Sequence, residues 1–171
     1  VNAQGLVENV QIIGGELVTN GNFSQIGSQK VTNGNFLQEG SELVINGDFS
    51  NGSTDWNIEA VWTIGDGVAN GNGASGTSQE LSQGANLTIG KTYVLEYEIK
   101  NYVSGNVQTR RPPTSTNSGN GVYKQYATAS ATSLVFKANL FNGSITNISV
   151  KEVGQDWVLN DWTVADGKAS L

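Results

Sequence analysis

The chain has 171 residues, 14% of them charged, with a formal net charge of -6, 22 Gly, 2 Pro and no Cys, His or Met. Lacking Cys and His, it has no disulfide framework, no thiolate or imidazole zinc site and no histidine general base. The negative balance opposes a duplex nucleic-acid partner, which demands a basic face, and no apolar run approaches the ~20 residues of a membrane-spanning helix.

Near the start, "GLVENVQII" (5–13) reads as a turn followed by a short alternating strand, the end of a preceding unit. From residue 16 a hexapeptide recurs every 13 residues: Val18–Phe23 and Val31–Phe36 are both VTNGNF, and Val44–Phe49 is VINGDF. Asn-Gly suits a type I′ hairpin turn, whose two central residues need positive φ, so each copy predicts a strand-turn-strand element. A lone hairpin is marginal in water, so the first two copies are expected to dock as a short shaft or collar, a flexible linker being the alternative. The third copy alone is followed directly by "DWNIEAVWTIGDGVA" (55–69).

Short strands are expected at 60–64, 77–83 and 86–89. A long one spans 92–102, where Tyr93, Leu95, Tyr97 and Ile99 share one face and Glu96, Glu98 and Lys100 the other. Residues 106–110 predict a further strand. The loop "RRPPTSTNSGNG" (110–121) contains the only two arginines and the only two prolines. Strands follow at 121–129, at 133–141 with Leu134, Phe136, Ala138 and Leu140 in phase, and at 144–153 with Ile148 and Val150 in phase. No stretch carries the i, i+3, i+4, i+7 pattern of a helix.

"DWNIEAVWTIGDGVA" returns as "DWVLNDWTVADGKA" (156–169), and "GSITNISVKEV" (143–153) repeats the turn-plus-strand pattern of 5–13. The expected organisation is the end of one module (1–15), short β repeats forming a linker or shaft (16–41), a complete module (42–153) and the start of the next (154–171). The chain thus reads as a window on, or a processed product of, a longer polypeptide of tandem modules. Strand spacing and Gly/Asn turns give an all-β class, an antiparallel β-sandwich or barrel.

The ordered strings "ELVINGDFSNGSTDWNIEAVWTIGDGVANG", "LTIGKTYVLEYEIKNYVSGNV" and "NGVYKQYATASATSLVFKANLFNGSITNISVKEV", followed at once by "GQDW", resemble the carbohydrate-binding-module type of jelly roll. Such modules recur in tail fibres and other virion structural proteins of tailed bacteriophages. The resemblance covers 42–153 in full and begins again after Gly154. It implies a jelly-roll sandwich and a non-enzymatic structural role in an extended fibre or virion appendage, a phage tail or head fibre, with weak glycan or receptor binding. The alternative is a bacterial surface adhesin, or a carbohydrate-binding module attached to a secreted polysaccharide-degrading enzyme. Implied partners are further copies of the chain (a trimer or filament), other virion or surface proteins and a surface glycan, with a virion or extracellular location. Related modules hold a structural calcium between the opening turn and the last strand; the matching positions are Asp48 and Asn147, with Ser50 beside them. Ser50 and Asn147 stand where such modules frequently carry Glu and Asp, which leaves one carboxylate for a cation that wants several charged oxygens. No other cofactor is implied.

Sugar faces stack on aromatic rings. Tyr93 and Tyr97 run in phase with Leu95 and Ile99, and Trp62 lies inside a strand, so these are core candidates; Trp56, Tyr102 and Tyr123 are the candidate glycan contacts. Arg110 and Arg111, two guanidiniums beside a stiff Pro-Pro turn, are candidates for gripping a carboxylate or phosphate of a partner, the alternative being a solvated hairpin end. Glu96 and Glu98 fall on a polar face with Lys100, a solvated stripe in preference to a glycosidase pair. There is no nucleophile elbow, phosphate loop or metal triad, and catalysis is not expected. Five N-glycosylation tripeptides, starting at Asn22, Asn51, Asn86, Asn142 and Asn147, matter only in a eukaryotic secretory pathway.

Overall fold

A computed structural model describes residues 4, 28, 30–76, 79–111, 115–159 and 161–171. The chain divides into two compact units, 1–32 and 33–171. The expectations for 1–15, Gln4 apart, and for the hexapeptide Val18–Phe23 lie outside the described residues.

The unit 33–171 is all-β and antiparallel, the sandwich class expected. Its described strands are β1 (Glu39–Glu42), β2 (Asn57–Ile58), β3 (Trp62–Gly65), β4 (Val68–Asn72), β5 (Glu80–Gln83), β6 (Thr92–Arg111), β7 (Ser115–Asn117), β8 (Gly121–Thr128), β9 (Leu134–Val153), β10 (Thr163–Ala165) and β11 (Lys168–Ser170). The first nine join into one continuous sheet and the last two form a separate hairpin. Two 20-residue strands, β6 and β9, make the continuity. The first half of β6 pairs with β8 and with the C-terminal half of β9, Thr92↔Thr128 and Leu95↔Val150 among the partners. Its second half pairs with β7 and the N-terminal half of β9, as in Val107↔Asn117 and Val107↔Ala138. On the far side of β9 lie β5 with β2, β4 with β3, and β1.

Such strands serve both layers only if they bend midway. The β6–β9 register shifts between Lys100 and Asn106, and Asn101, Gly105 and Leu140 there take positive φ of 51°, 75° and 53°. An unpaired residue in a ladder bends the strand and raises its twist. The bulge also reverses side-chain phase. Leu134, Phe136 and Ala138 are buried as expected, but Leu140 is turned out, 49% exposed, and Phe141 takes its place in the core.

The core fills the space between the layers. Tyr93, Leu95, Tyr97 and Ile99 are buried, the face that alternation predicts, and they meet Phe136, Phe141, Leu81, Leu134, Ile145 and Val150 in a single cluster. The phenol of Tyr97 accepts a 2.7 Å hydrogen bond from Asn117 Nδ2, and its ring packs edge-on against Phe136 at 5.1 Å. Burial raises its pKa above the ordinary tyrosine value, against the hydrogen bond from Asn117, which lowers it.

From residue 60 onward the strand expectations hold with changed bounds, that at 86–89 excepted. The strand predicted at 106–110 is the continuation of β6, and those at 133–141 and 144–153 are one, β9. No strand forms at 86–89.

The expected Asn-Gly hairpins are corrected. At no described Asn-Gly pair are both φ values positive; in VTNGNF and VINGDF the positive residues are Asn33 and Phe36, and Asn46 and Phe49. Each Phe N–H donates to the carbonyl of its Asn, at 3.0 and 3.2 Å, closing a turn that is not a hairpin tip. Gly47 is required by close approach: a Cβ there would lie 2.0 Å from the Ile148 carbonyl oxygen. The type I′ signature sits instead at Asp66-Gly67 (53° and 73°), between β3 and β4, and at Asp166-Gly167 (47° and 72°), between β10 and β11.

Candidate functional site

Trp56 is not free to stack on a sugar. It is 7% exposed, its ring tilts against Phe49 at 5.2 Å, and its Nε1 donates to the Asn46 carbonyl at 3.0 Å. Its position next to a turn suggested exposure, but that same turn folds over it. Tyr102 and Tyr123 are half-buried. Tyr102 Oη donates to the Gly105 carbonyl (3.1 Å) across the β6 bulge, with its ring 6.4 Å from Phe141. Tyr123 stacks on Tyr97 at 5.7 Å and donates to the Ser118 and Gly119 carbonyls (2.7 and 3.0 Å). Both rings buttress loops.

Arg110 is spent within the chain. Its Nη1 lies 2.7 Å from Glu80 Oε1 on β5, in an exposed ion pair, while Arg111 pairs through its backbone with Val135.

The calcium positions do not fit a cation. Asp48 Oδ1 accepts from the Ser50 N–H (3.1 Å) and hydroxyl (2.9 Å). The backbone bond from Ser50, and then its hydroxyl bond, hold the Asp48 carboxyl below its ordinary pKa. Asn147 points its amide nitrogen, a donor, at Glu98 Oε2 (2.9 Å). Among the described residues no group of three acidic, His or Cys side chains is placed to hold a metal.

A cleft lies where β9 ends. A groove of about 570 Å³ runs between the β6–β8 end of the sandwich and the segment after Gly154, bordered by Lys91, Thr92, Trp157, Leu159, Asp161 and Trp162. Trp157 and Trp162 are 36% and 45% exposed. Lys91 is held toward the sandwich by Glu152, at 3.2 Å. Partly exposed indoles beside an ammonium and a carboxylate can take the apolar face of a sugar ring and bond its hydroxyls. These two tryptophans were missed as site candidates, although the sequence marks them as the second-repeat counterparts of Trp56 and Trp62. What the repeat conceals is that Trp62 is 3% exposed and Trp162 is not.

Beside the groove, Glu39 on β1 draws two lysines together, Lys151 at 3.0 Å and Lys124 at 3.8 Å. The hydrogen bond that Lys151 Nζ donates to the Glu39 carboxylate raises the Lys151 pKa above its ordinary value.

Fold and site together define an antiparallel β-sandwich with an aromatic groove at the end of its last strand. No family model and no curated protein matches the chain. Among solved structures, a chain described as "CBM4 structure and function" is 17% identical, with a TM-score of 0.37, covering 72% of this chain and 99% of that one.

Proposed function

We propose that the chain is a non-catalytic structural module of an extended extracellular or virion fibre in which β-sandwiches follow one another in tandem. The observation that supports this is the hairpin β10–β11. It repeats β3–β4 in sequence and in turn geometry, and it starts ten residues beyond the end of β9, so one unit ends where the opening of another begins. Assembly in many copies would also cover the sandwich edges at β7 and β8, which open sheets otherwise leave available for pairing. Electron microscopy of the purified protein tests the reading: filaments or appendages with a regular module repeat support it, and a monodisperse monomer at high concentration sinks it.

A second reading, a glycan-binding module of an adhesin or of a secreted polysaccharide-degrading enzyme, is favoured by the groove with Trp157 and Trp162. Many weak sugar contacts on one fibre would add by avidity, so the two readings are compatible. A glycan array and a Trp162→Ala variant test it; binding that survives the substitution places the sugar elsewhere.

A further inference from the structure

The opening of the sandwich has a recognisable local build. Asn46 and Phe49 take positive φ, the Asn46 side-chain oxygen accepts from the Asn51 N–H at 3.0 Å, the Asn46 carbonyl accepts from Trp56 Nε1 at 3.0 Å, and Phe49 and Trp56 meet at 5.2 Å and 45°. The Asp66-Gly67 turn closes over this, a Cβ on Gly67 falling 3.5 Å from the Asp48 carbonyl oxygen. All of it comes from one stretch, Asn46 and Trp56 being 10 residues apart.

The same build occurs a second time from two stretches 124 residues apart. Asn33 and Phe36 take positive φ, Asn33 Oδ1 accepts from the Gln38 N–H at 3.0 Å, and the Asn33 carbonyl accepts from Trp157 Nε1 at 3.0 Å. Phe36 and Trp157 meet at 5.2 Å and 43°. The Asp166-Gly167 turn lies over it, with a Gly167 Cβ only 3.1 Å from the Asn35 carbonyl oxygen. Even the lead-in agrees: the Trp62 N–H donates to the Glu59 carbonyl, and the Trp162 N–H to the Leu159 carbonyl. The second build has its own apolar cluster, where Phe36, Leu159 and Ala169 pack with Val164 against Val94, Val153 and Tyr126 of the sandwich, and Tyr126 Oη lies 3.0 Å from Asp166 Oδ1.

We propose that Asn33–Phe36 and the segment from Trp157 to Ser170 are the two halves of a split module opening, and that their union is a clasp fastening the start of one module to the sandwich before it. The partner surface is therefore intramolecular: an Asn-Gly-x-Phe turn preceding one sandwich plugs a Trp socket following it. The assignment rests on the tandem reading above for its role, but not for its geometry. One difference marks the split. Asn46 Nδ2 donates to the Gly52 and Thr54 carbonyls of the loop that runs on to Trp56 (both 3.0 Å). In the split copy Phe36 runs instead into β1, and the buried Asn33 Nδ2 has no hydrogen-bond partner.

Hydrogen exchange of the four indole N–H groups, followed by NMR on the full chain, tests the clasp. A protected indole reports local opening. In the wild type the Trp157 indole is expected to exchange at least tenfold more slowly than that of Trp162. In Phe36→Ala it should reach the Trp162 rate while Trp56 and Trp62 keep theirs. Equal rates for Trp157 and Trp162 in the wild type overturn the proposal, as does undiminished Trp157 protection in Phe36→Ala; the wild-type comparison decides even if the variant does not fold. A monomeric protein whose Trp157 is protected would remove the tandem role and leave the clasp standing.

Discussion

Trp62 and Trp162 occupy the same place in two copies of one sequence repeat, and the structure assigns them opposite energetic weights. Trp62 is 3% exposed, lies 5.8 Å from Phe141 ring to ring, and donates from Nε1 to the Gln79 carbonyl at 2.9 Å. Replacing it by Ala deletes a large buried ring, leaves a cavity in a close-packed core and orphans a buried carbonyl, a loss of about 3 to 5 kcal/mol. For a unit of this size, each kcal/mol shifts Tm by roughly 4 °C, so Trp62→Ala should melt about 12 to 20 °C below the wild type. Trp162 is 45% exposed, and Trp162→Ala should cost no more than about 1 kcal/mol, a Tm shift of about 4 °C. Differential scanning calorimetry with urea melts gives both numbers. Equal losses for the two variants, or less than about 1.5 kcal/mol for Trp62→Ala, would refute the claim that β3–β4 is closed into the core and β10–β11 is not.

Other consequences can be measured on the same protein. Gly47→Ala drives a methyl to 2.0 Å from the Ile148 oxygen and should cost at least about 2 kcal/mol in urea melts, whereas Gly84→Ala, which meets nothing within 4 Å, should stay within about 0.5 kcal/mol. Arg110→Ala breaks an exposed pair and should cost only about 0.2 to 1 kcal/mol, a difference that 1 M salt largely removes. Tyr97, with a folded pKa raised by burial, contributes stability that is intact below the ordinary tyrosine pKa of about 10 and lost as pH rises through the folded value. Ultraviolet titration should lose a late-ionising component in Tyr97→Phe, and the same substitution should flatten the alkaline limb of stability against pH. Millimolar calcium should leave Tm unchanged, since Asp48 and Asn147 are engaged with Ser50 and Glu98; a rise of several degrees would contradict that account.

Much of the sandwich was legible because a half-buried strand writes its two faces into alternate residues. Tyr93 to Ile99 shows this, and the prediction failed one bulge later, at Leu140, where a backbone kink set by pairing with β6 reverses the phase. Burial of Trp56 was illegible for a related reason: neighbouring turn residues suggest solvent, but Asn46 and Phe49 fold back over the ring. Trp157 and Trp162 could be seen as repeats of Trp56 and Trp62, yet their exposure depends on how much of a sheet surrounds them, which no local pattern records. Likewise the recurrence of VTNGNF was plain in the sequence, while its pairing with a tryptophan 124 residues away belongs to the fold alone.

The placement of β1 against the end of β9 governs how the molecule bears tension. Glu39 is the partner of Val153, so the sandwich is entered and left at one point on its rim. A pull on the chain before residue 39 and after residue 153 would therefore peel β1 from β9 one hydrogen bond at a time, the weakest way to load a ladder whose bonds each contribute about 1 kcal/mol. The contact of Asn33 and Phe36 with Trp157 lies just outside that point, on both arms of the pull. It would yield before the peel could begin, a mechanical fuse that lengthens the chain and leaves the sandwich whole.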